Sequence, residues 1–482
     1  MLEISKQLFK SWNNLQVSYC HWKSNEHLVP GLDGDTDLDV LLSDFDKTKG
    51  EAVLRSMEFI QCKSQFGSRY PGVDDWIGYD KSSGRFIHLH LHYKIVTGHK
   101  GLKEYCLPWT DDVLATKILD KETEVYIANP NIELLTIYTR IALKISLSDK
   151  SKLKKGTYKV DKSYLQEIKF LKERVSWQEV ERLVSRYYGN SYANVLAIIQ
   201  SEQMTAKQVS ELRKIAERTF KNVNRYKSTY RLREFYYKYA LKLCKLLRQK
   251  LNVFIVNRKV PKTSRGVQIA FLGQDGAGKT TVTTDIRKWW SWKMDVQYIY
   301  LGSGDNYFSW RKALQKTLPN SSGFKLIRAW LQFSKFKVLA KDVLTMIKAG
   351  EKFAAKGGLV IYDRYPQVEY PGISDGPKIR TNILSKLPRK LQPLFERYAV
   401  NEERYLKEAT SHHPDIVFKL IIPPEESVRR KPENKLDTMK KKHELIKALQ
   451  FPGSDVYIID ATMPYEEEIL LIKNIIWEHI QK

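Results

Sequence analysis

Apolar and polar positions follow three different rhythms along this chain, and each predicts a different kind of element. Up to about residue 150, short β-like runs such as LDVLL alternate with turns. WIGYD and RFIHLHLHY flank the turn KSSG, which predicts a hairpin. From 151 to 262 the spacing becomes helical. This stretch opens with a lysine-rich linker around SKLKKG and ends in YRLREFYYKYALKLCKLLRQKLNVF. There Leu232, Tyr236, Tyr239, Leu243, Leu246, Leu247, Leu251 and Phe254 form a helical stripe with basic residues between them. VPKTSRG, with Pro261 and Gly266, punctuates the chain before a new strand. From 263 to 482, apolar strands alternate with amphipathic helices, which predicts a parallel α/β sheet with flanking helices. The expected organisation is a mixed α+β domain over 1–150, a helical basic connector over 151–262 and an α/β domain over 263–482.

Composition narrows the class. Hydrophobic residues make up 42% and aromatic residues 12% of the 482, enough for real cores and unlike a disordered chain. The opening MLEISKQLFKSW has no apolar stretch of signal-peptide length, and no later run is long enough to span a bilayer. Cys20, Cys62, Cys106 and Cys244 are scattered without the paired spacing of a zinc site or a disulfide framework, so a reducing, cytoplasmic setting is expected. The formal net charge of +26 is concentrated: residues 221–265 hold fourteen Lys or Arg and one acid, Glu234, a local excess of +13. Such a density attracts phosphates, whether on lipid, nucleic acid or a polyanionic substrate. The breadth and aromatic content of the stripe favour internal packing of this helix. Peripheral contact with an anionic membrane ranks next, and nucleic acid below that, because no nucleic-acid module is recognisable elsewhere.

The strongest chemical signal is VQIAFLGQDGAGKTTVTTDIRKWW. A buried strand, 267–272, runs into Gly273, Gln274, Asp275, Gly276, Ala277, Gly278, Lys279 and Thr280, which fits G-x-x-x-x-G-K-[ST] with a helix after it. Glycines let successive backbone N–H groups converge on phosphate oxygens, and the helix that follows, carrying Thr281, aims its positive end at the same anion. Lys279 is expected to bridge the outer phosphates of ATP and the Thr280 hydroxyl to ligate Mg2+. In GGLVIYDRYP a second apolar strand delivers Asp363 and Arg364 to a sheet edge, where ligands of open α/β folds bind. A carboxylate there suits magnesium and an arginine suits a phosphoryl group. A surface ion pair is the plainer alternative. PDIVFKLIIPPEESVRRKPENK ends a third strand at Pro423 and Pro424 and continues into a helix with Arg429, Arg430 and Lys431. These are either charge-stabilising groups over the nucleotide or a solvated face.

These stretches, with the final DVYIID strand and Ala461, resemble the thymidylate kinase family over about 266–482. The resemblance implies that Asp275 faces the acceptor, that Arg364 in DRY holds an acceptor phosphate, and that Arg429 and Arg430 belong to a lid. The match is incomplete. Where that family carries Arg-Glu-Pro-Gly this chain reads YIYLGSGDN, and after DRY it reads PQVEYPGISDGPKIR, whose Lys378 and Arg380 suit an anionic acceptor. Phosphoryl transfer to something other than thymidylate is therefore expected. Kinase-like domains of this kind without the family's acceptor motifs look like those associated with bacterial surface polysaccharide assembly, which suggests a sugar, polyol or glycolipid acceptor. A nucleotide-gated regulatory protein and a divergent nucleoside monophosphate kinase are the alternatives.

The first segment offers a second chemistry. In HWKSNEHLVPGLDGDTDLDVLL, Asp37 and Asp39 are two apart on a strand and share a face, where paired carboxylates suit a divalent ion. Asp35, beside Gly34, reads as a turn residue. GDTDLDV resembles the polymerase-beta-like nucleotidyltransferase superfamily, which implies a third carboxylate on a later strand. The candidate strand FIHLHLHYK instead offers His88, His90 and His92, so the domain is expected to be either an active transferase with altered metal binding or a binding module.

Overall fold

The computed structural model describes residues 1–63, 70, 72–99, 102–225, 229–250, 255–256, 258–262, 265–302, 325–379 and 389–481. The chain divides into two compact units, Met1–Leu251 and Asn252–Ile480.

The first unit is built on a mixed sheet. Its strands are β1 (Tyr19–His21), β2 (Asp37–Leu42), β3 (Ile60–Lys63), β4 (Val73–Asp80), β5 (Arg85–His92), β8 (Ile118–Leu119) and β9 (Tyr126–Ile127), with a separate pair, β6 (Val96–Thr97) and β7 (Tyr105–Cys106). They lie side by side in the order β3-β4-β5-β2-β1-β9-β8. The expected hairpin is present: β4 and β5 pair antiparallel from Asp80↔Arg85 at the KSSG turn to Val73↔His92 at the open end. β5 also runs parallel to β2, with Asp37↔His88 and Asp39↔His90 in register.

Alternation along these strands separates two environments. Leu38, Val40, Leu42, Ile87, Leu89 and Leu91 point to one face and form a core with Leu8, Phe9 and Trp12 of the helix Glu3–Asn14. The opposite face carries Asp37, Asp39, His88, His90 and His92. A second core unites Cys20, Trp22 and Leu41 with helices Pro130–Leu143, Lys162–Lys172, Trp177–Tyr188, Tyr192–Gln200 and Ala206–Thr219. Pro130–Leu143 is buried from Ile132 to its end, and Asn129 caps it with Pro130 at the first turn. The helical segment expected as a connector is thus, as far as Phe220, part of the first unit's packing.

Helix Tyr230–Lys250 behaves differently. Internal packing of its apolar stripe is expected, yet Leu232, Tyr236, Tyr239, Leu243 and Leu246 are exposed, Leu232 by 73% and Tyr236 by 75%, while Leu247 is half-buried and Leu251 and Phe254 lie outside the described residues. Periodicity fixes which side chains share a face but not what covers it.

In the second unit, β10 (Val260–Pro261) precedes β11 (Gln268–Gly273), β12 (Val296–Tyr300), β13 (Leu359–Asp363), β14 (Ile416–Ile421) and β15 (Asp455–Asp460). The last five form an all-parallel sheet in the order β12-β13-β11-β14-β15. Both faces are covered, so the central strands β11, β13 and β14 are almost wholly buried. After β11 the chain moves to one side for β12 and β13 and to the other for β14 and β15. That reversal opens a crevice at the carboxyl ends of the strands. Phe271 pairs with Asp363 in register, so the loop after β11 and the residues ending β13 meet at that crevice.

Candidate active site

The loop after β11 curls because its glycines permit it. Gly276 and Gly278 hold φ of +87° and +82°, where a Cβ would be strained. Gly278 then caps helix Lys279–Trp290, whose N-terminal N–H groups open toward the crevice. Lys279 folds back over the loop and donates to the carbonyls of Gly273 (2.8 Å) and Gln274 (3.0 Å). Burial and the neighbouring charge of Arg364 pull its ammonium down to about 8. Ala277 is buried, and Gln274 ties the loop to β14 by donating to the Ile422 carbonyl at 2.6 Å.

Asp363, buried at the end of β13, accepts from the Tyr298 hydroxyl at 2.9 Å and lies 3.5 Å from Thr280 Oγ1. A carboxylate and a hydroxyl held this close beside the phosphate loop form an oxygen donor pair that fits a hard divalent cation. Arg364, the next residue, has φ of +75°, a left-handed conformation that costs a side-chain-bearing residue roughly 1–2 kcal/mol. Its guanidinium lies 4.0 Å from Asp275 and 3.6 Å from Asp375, and its Nε is buried without a hydrogen-bond partner among the described residues. Together Asp275, Gly276, Gly278, Lys279, Thr280, Thr281, Tyr300, Asp363, Arg364, Arg430 and Lys431 line a cleft of about 370 Å³.

The remaining predicted residues divide. Arg430 reaches the cleft and donates to the Gly276 carbonyl at 3.2 Å, while Glu426 steadies it at 2.7 Å. Arg429 is exposed and turns to Glu426 instead. Asp275 sits beside Arg364 and accepts from Lys442 at 2.5 Å. Burial raises the Asp275 carboxyl, but Lys442, Lys279 and Arg364 outweigh it and hold the group below its ordinary value. Lys378 lines a small adjoining hollow with Phe336, Asp375 and Glu402. Glu402 fixes that backbone by accepting from the N–H groups of Lys378 (3.0 Å) and Ile379 (2.9 Å). Arg380 and residues 303–306 of YIYLGSGDN lie outside the described residues.

Asp375, Lys442, Tyr298 and Glu402 were not singled out from the sequence. Asp375 stands in the quoted SDGPKIR, two residues after an Ile and before a Gly, and nothing in that spacing marks it as Arg364's partner. Burial pushes its carboxyl up, partly offset by Arg364 and Lys378. Ser427 adds a further tie, donating to the Asp275 carbonyl at 2.5 Å and so joining the loop to the segment that carries Arg430.

In the first unit, the polar face of β2, β4 and β5 holds a grid of carboxylates and imidazoles. His88 lies between Asp37 (2.6 Å) and Asp75 (3.2 Å). His90 lies between Asp39 (3.3 Å) and Asp75 (3.1 Å). His92 Nε2 and Lys23 Nζ also meet Asp39, at 3.2 and 2.8 Å. Asp37, His88 and His90 present ligand-type atoms within 4.8 Å of one another. His88 and His92 are fully buried and His90 is half-buried. Asp75 of β4, missed from the sequence, adds a further carboxylate to this face. It was within reach, because the KSSG hairpin register places it opposite His90. Asp35 pairs with Arg85 away from this grid.

No protein-family model matches the chain. It is 26% identical over 214 residues to the uncharacterized ATP-binding protein YghR of Escherichia coli strain K12, a match covering 41% of this chain and 82% of that protein. With the uncharacterized ATP-binding protein YghS of the same strain it shares 24% over 230 residues, covering 41% of this chain and 87% of the relative. Among solved structures, deoxyadenosine kinase from M. mycoides with bound dATP is 20% identical, covers 43% of this chain and 97% of its own, and superposes with a TM-score of 0.26. What stands on the chain's own geometry is a parallel α/β unit with a phosphate-binding loop at its crevice.

Proposed function

We propose that the second unit is an ATP-dependent phosphotransferase acting on a small hydroxyl-bearing or anionic acceptor other than thymidylate. The observation that carries this reading is the convergence of Lys279, Thr280, Asp363, Arg364 and Arg430 on one cleft at the loop. The two relatives named as ATP-binding proteins support the choice of nucleotide.

Each residue has a definable task. The loop N–H groups and Lys279 grip the polyphosphate, Lys279 exchanging its bonds to Gly273 and Gln274 for bonds to phosphate oxygens. Thr280 and Asp363 would hold magnesium, which when bound offsets phosphate charge. Arg430 stands over the loop, where a guanidinium stabilises charge developing on the transferred group. Arg364 and Asp275 face the acceptor side, and Lys442 keeps Asp275 ionised and able to orient an acceptor hydroxyl. A sugar, polyol or glycolipid hydroxyl suits this paired, polar lining.

Incubation with labelled ATP and a panel of polyols, sugars and nucleoside monophosphates tests the reading. Acceptor-dependent loss of the γ-phosphate is expected with a member of the first two groups, and thymidylate should be at best a poor substrate. Turnover of thymidylate at the roughly 1–100 s⁻¹ common among kinases would overturn the acceptor assignment. Slow hydrolysis indifferent to every acceptor would favour a nucleotide-gated regulator.

A second reading concerns the first unit. The grid of Asp37, Asp39 and Asp75 with His88 and His90 supports divalent-metal binding of the kind nucleotidyl transfer requires, with imidazoles among the donors. In Mn2+ titrations of the full chain followed by electron paramagnetic resonance, Asp37→Asn with Asp39→Asn should remove one class of bound ion while ATP phosphotransfer persists. Unchanged Mn2+ stoichiometry in that variant would rule out a metal site on this face.

A further inference from the structure

The helix Tyr230–Lys250 carries an apolar face outward. Leu232, Tyr236, Tyr239, Leu243 and Leu246 recur every three or four residues, so they share one face over four turns. All are exposed, and Phe235 beside them packs against Tyr239 with ring centroids 4.2 Å apart and ring planes tilted by 41°. On the helix as a whole, burial lies elsewhere: Cys244 is buried, and Tyr237, Ala240 and Leu241 are half-buried. A contiguous apolar and phenolic stripe of this length is not ordinary surface.

Charge decides among its partners. The helix contains Arg231, Arg233, Lys238, Lys242, Lys245, Arg248 and Lys250 against a single acid, Glu234. Arg233, Lys242 and Lys245 are themselves exposed. A second copy of the helix would set these cations against one another with almost no acid to match. Nucleic acid would be met by leucines at the centre of the contact, where phosphates want cations. A bilayer with anionic headgroups accommodates both features at once: leucines enter the acyl boundary, tyrosines sit at headgroup depth, and lysines and arginines meet lipid phosphates. Among the described residues no helix is long and apolar enough to cross a membrane. We infer that helix Tyr230–Lys250 lies in the plane of an anionic membrane surface and docks the protein there, with Leu232, Tyr236, Tyr239, Leu243 and Leu246 inserted.

Co-sedimentation of the full chain with sucrose-loaded vesicles tests this. Binding is expected to vesicles of phosphatidylglycerol and phosphatidylcholine, to weaken as salt rises, and to be at least tenfold weaker with phosphatidylcholine alone. Leu232→Glu with Leu243→Glu should abolish binding. Lys242→Glu with Lys245→Glu should reduce it about tenfold or more. Both pairs sit on exposed positions, so the variants should keep wild-type circular dichroism and thermal midpoint. Wild type that fails to bind phosphatidylglycerol vesicles would overturn the inference, as would leucine variants that bind as well as wild type. It would equally be overturned if wild type sedimented as a dimer that the leucine substitutions dissociate, or if RNA competed for the helix while vesicles did not.

Discussion

Replacing Lys279 with Ala is expected to lower phosphoryl transfer about 100- to 1,000-fold while the protein remains folded. Its side chain rests on two loop carbonyls rather than in an apolar core, so its loss opens no hydrophobic cavity. What disappears is the cation that would follow the phosphates through the transition state. A pH signature accompanies this. Burial and Arg364 lower the folded-state value to about 8 from the 10.5 of a free lysine. The folded chain therefore releases a proton that the unfolded chain retains between those values. The resulting stability penalty is full below about pH 8 and is relieved as pH rises toward 10.5. Wild type should thus gain stability relative to Lys279→Ala across that window. kcat/KM for ATP should fall as pH rises through about 8, and Lys279→Arg should remove that limb. Turnover of Lys279→Ala equal to wild type would show that the loop is not the phosphate grip.

Asp363→Asn is expected to produce a loss of similar size, about 100- to 1,000-fold in kcat, with a raised magnesium requirement. The amide oxygen can still accept from Tyr298, so stability should change by no more than about 1 kcal/mol. The two effects separate cleanly: removing Lys279 weakens nucleotide binding itself, whereas neutralising Asp363 removes charge from the cation's donor pair. A magnesium titration of kcat distinguishes them. An unaltered magnesium dependence in Asp363→Asn would place the cation elsewhere.

Much of the second unit was legible because its chemistry is local. Glycines, a lysine and a threonine at fixed offsets after a buried strand define the loop, and the apolar run ending in Asp363 and Arg364 defines the strand beside it. The left-handed backbone of Arg364 was not legible, and neither were its two carboxylate partners. Asp275 and Asp375 are brought to it by the turn after β11 and the segment after β13, whose paths are set by tertiary packing. Lys442 lies within the run KKK, in which no spacing marks the member that reaches Asp275.

In the first unit, period-2 alternation correctly put Asp37 and Asp39 on one face, and His88, His90 and His92 on one face of the neighbouring strand. The sequence did not show that these faces are the same one. That follows from the parallel pairing of β2 with β5, a long-range choice. The basic helix illustrates the converse. Its stripe was plain in the sequence, but a stripe looks alike whether a protein core or something outside the chain covers it.

The central claim is that one glycine-rich turn and its lysine hold a nucleotide's phosphates. Calorimetric titration of the full chain with ATP and magnesium measures this most directly. Saturable binding that is lost in Lys279→Ala is the predicted result. Absence of affinity in wild type, or binding of equal strength in the variant, would contradict it.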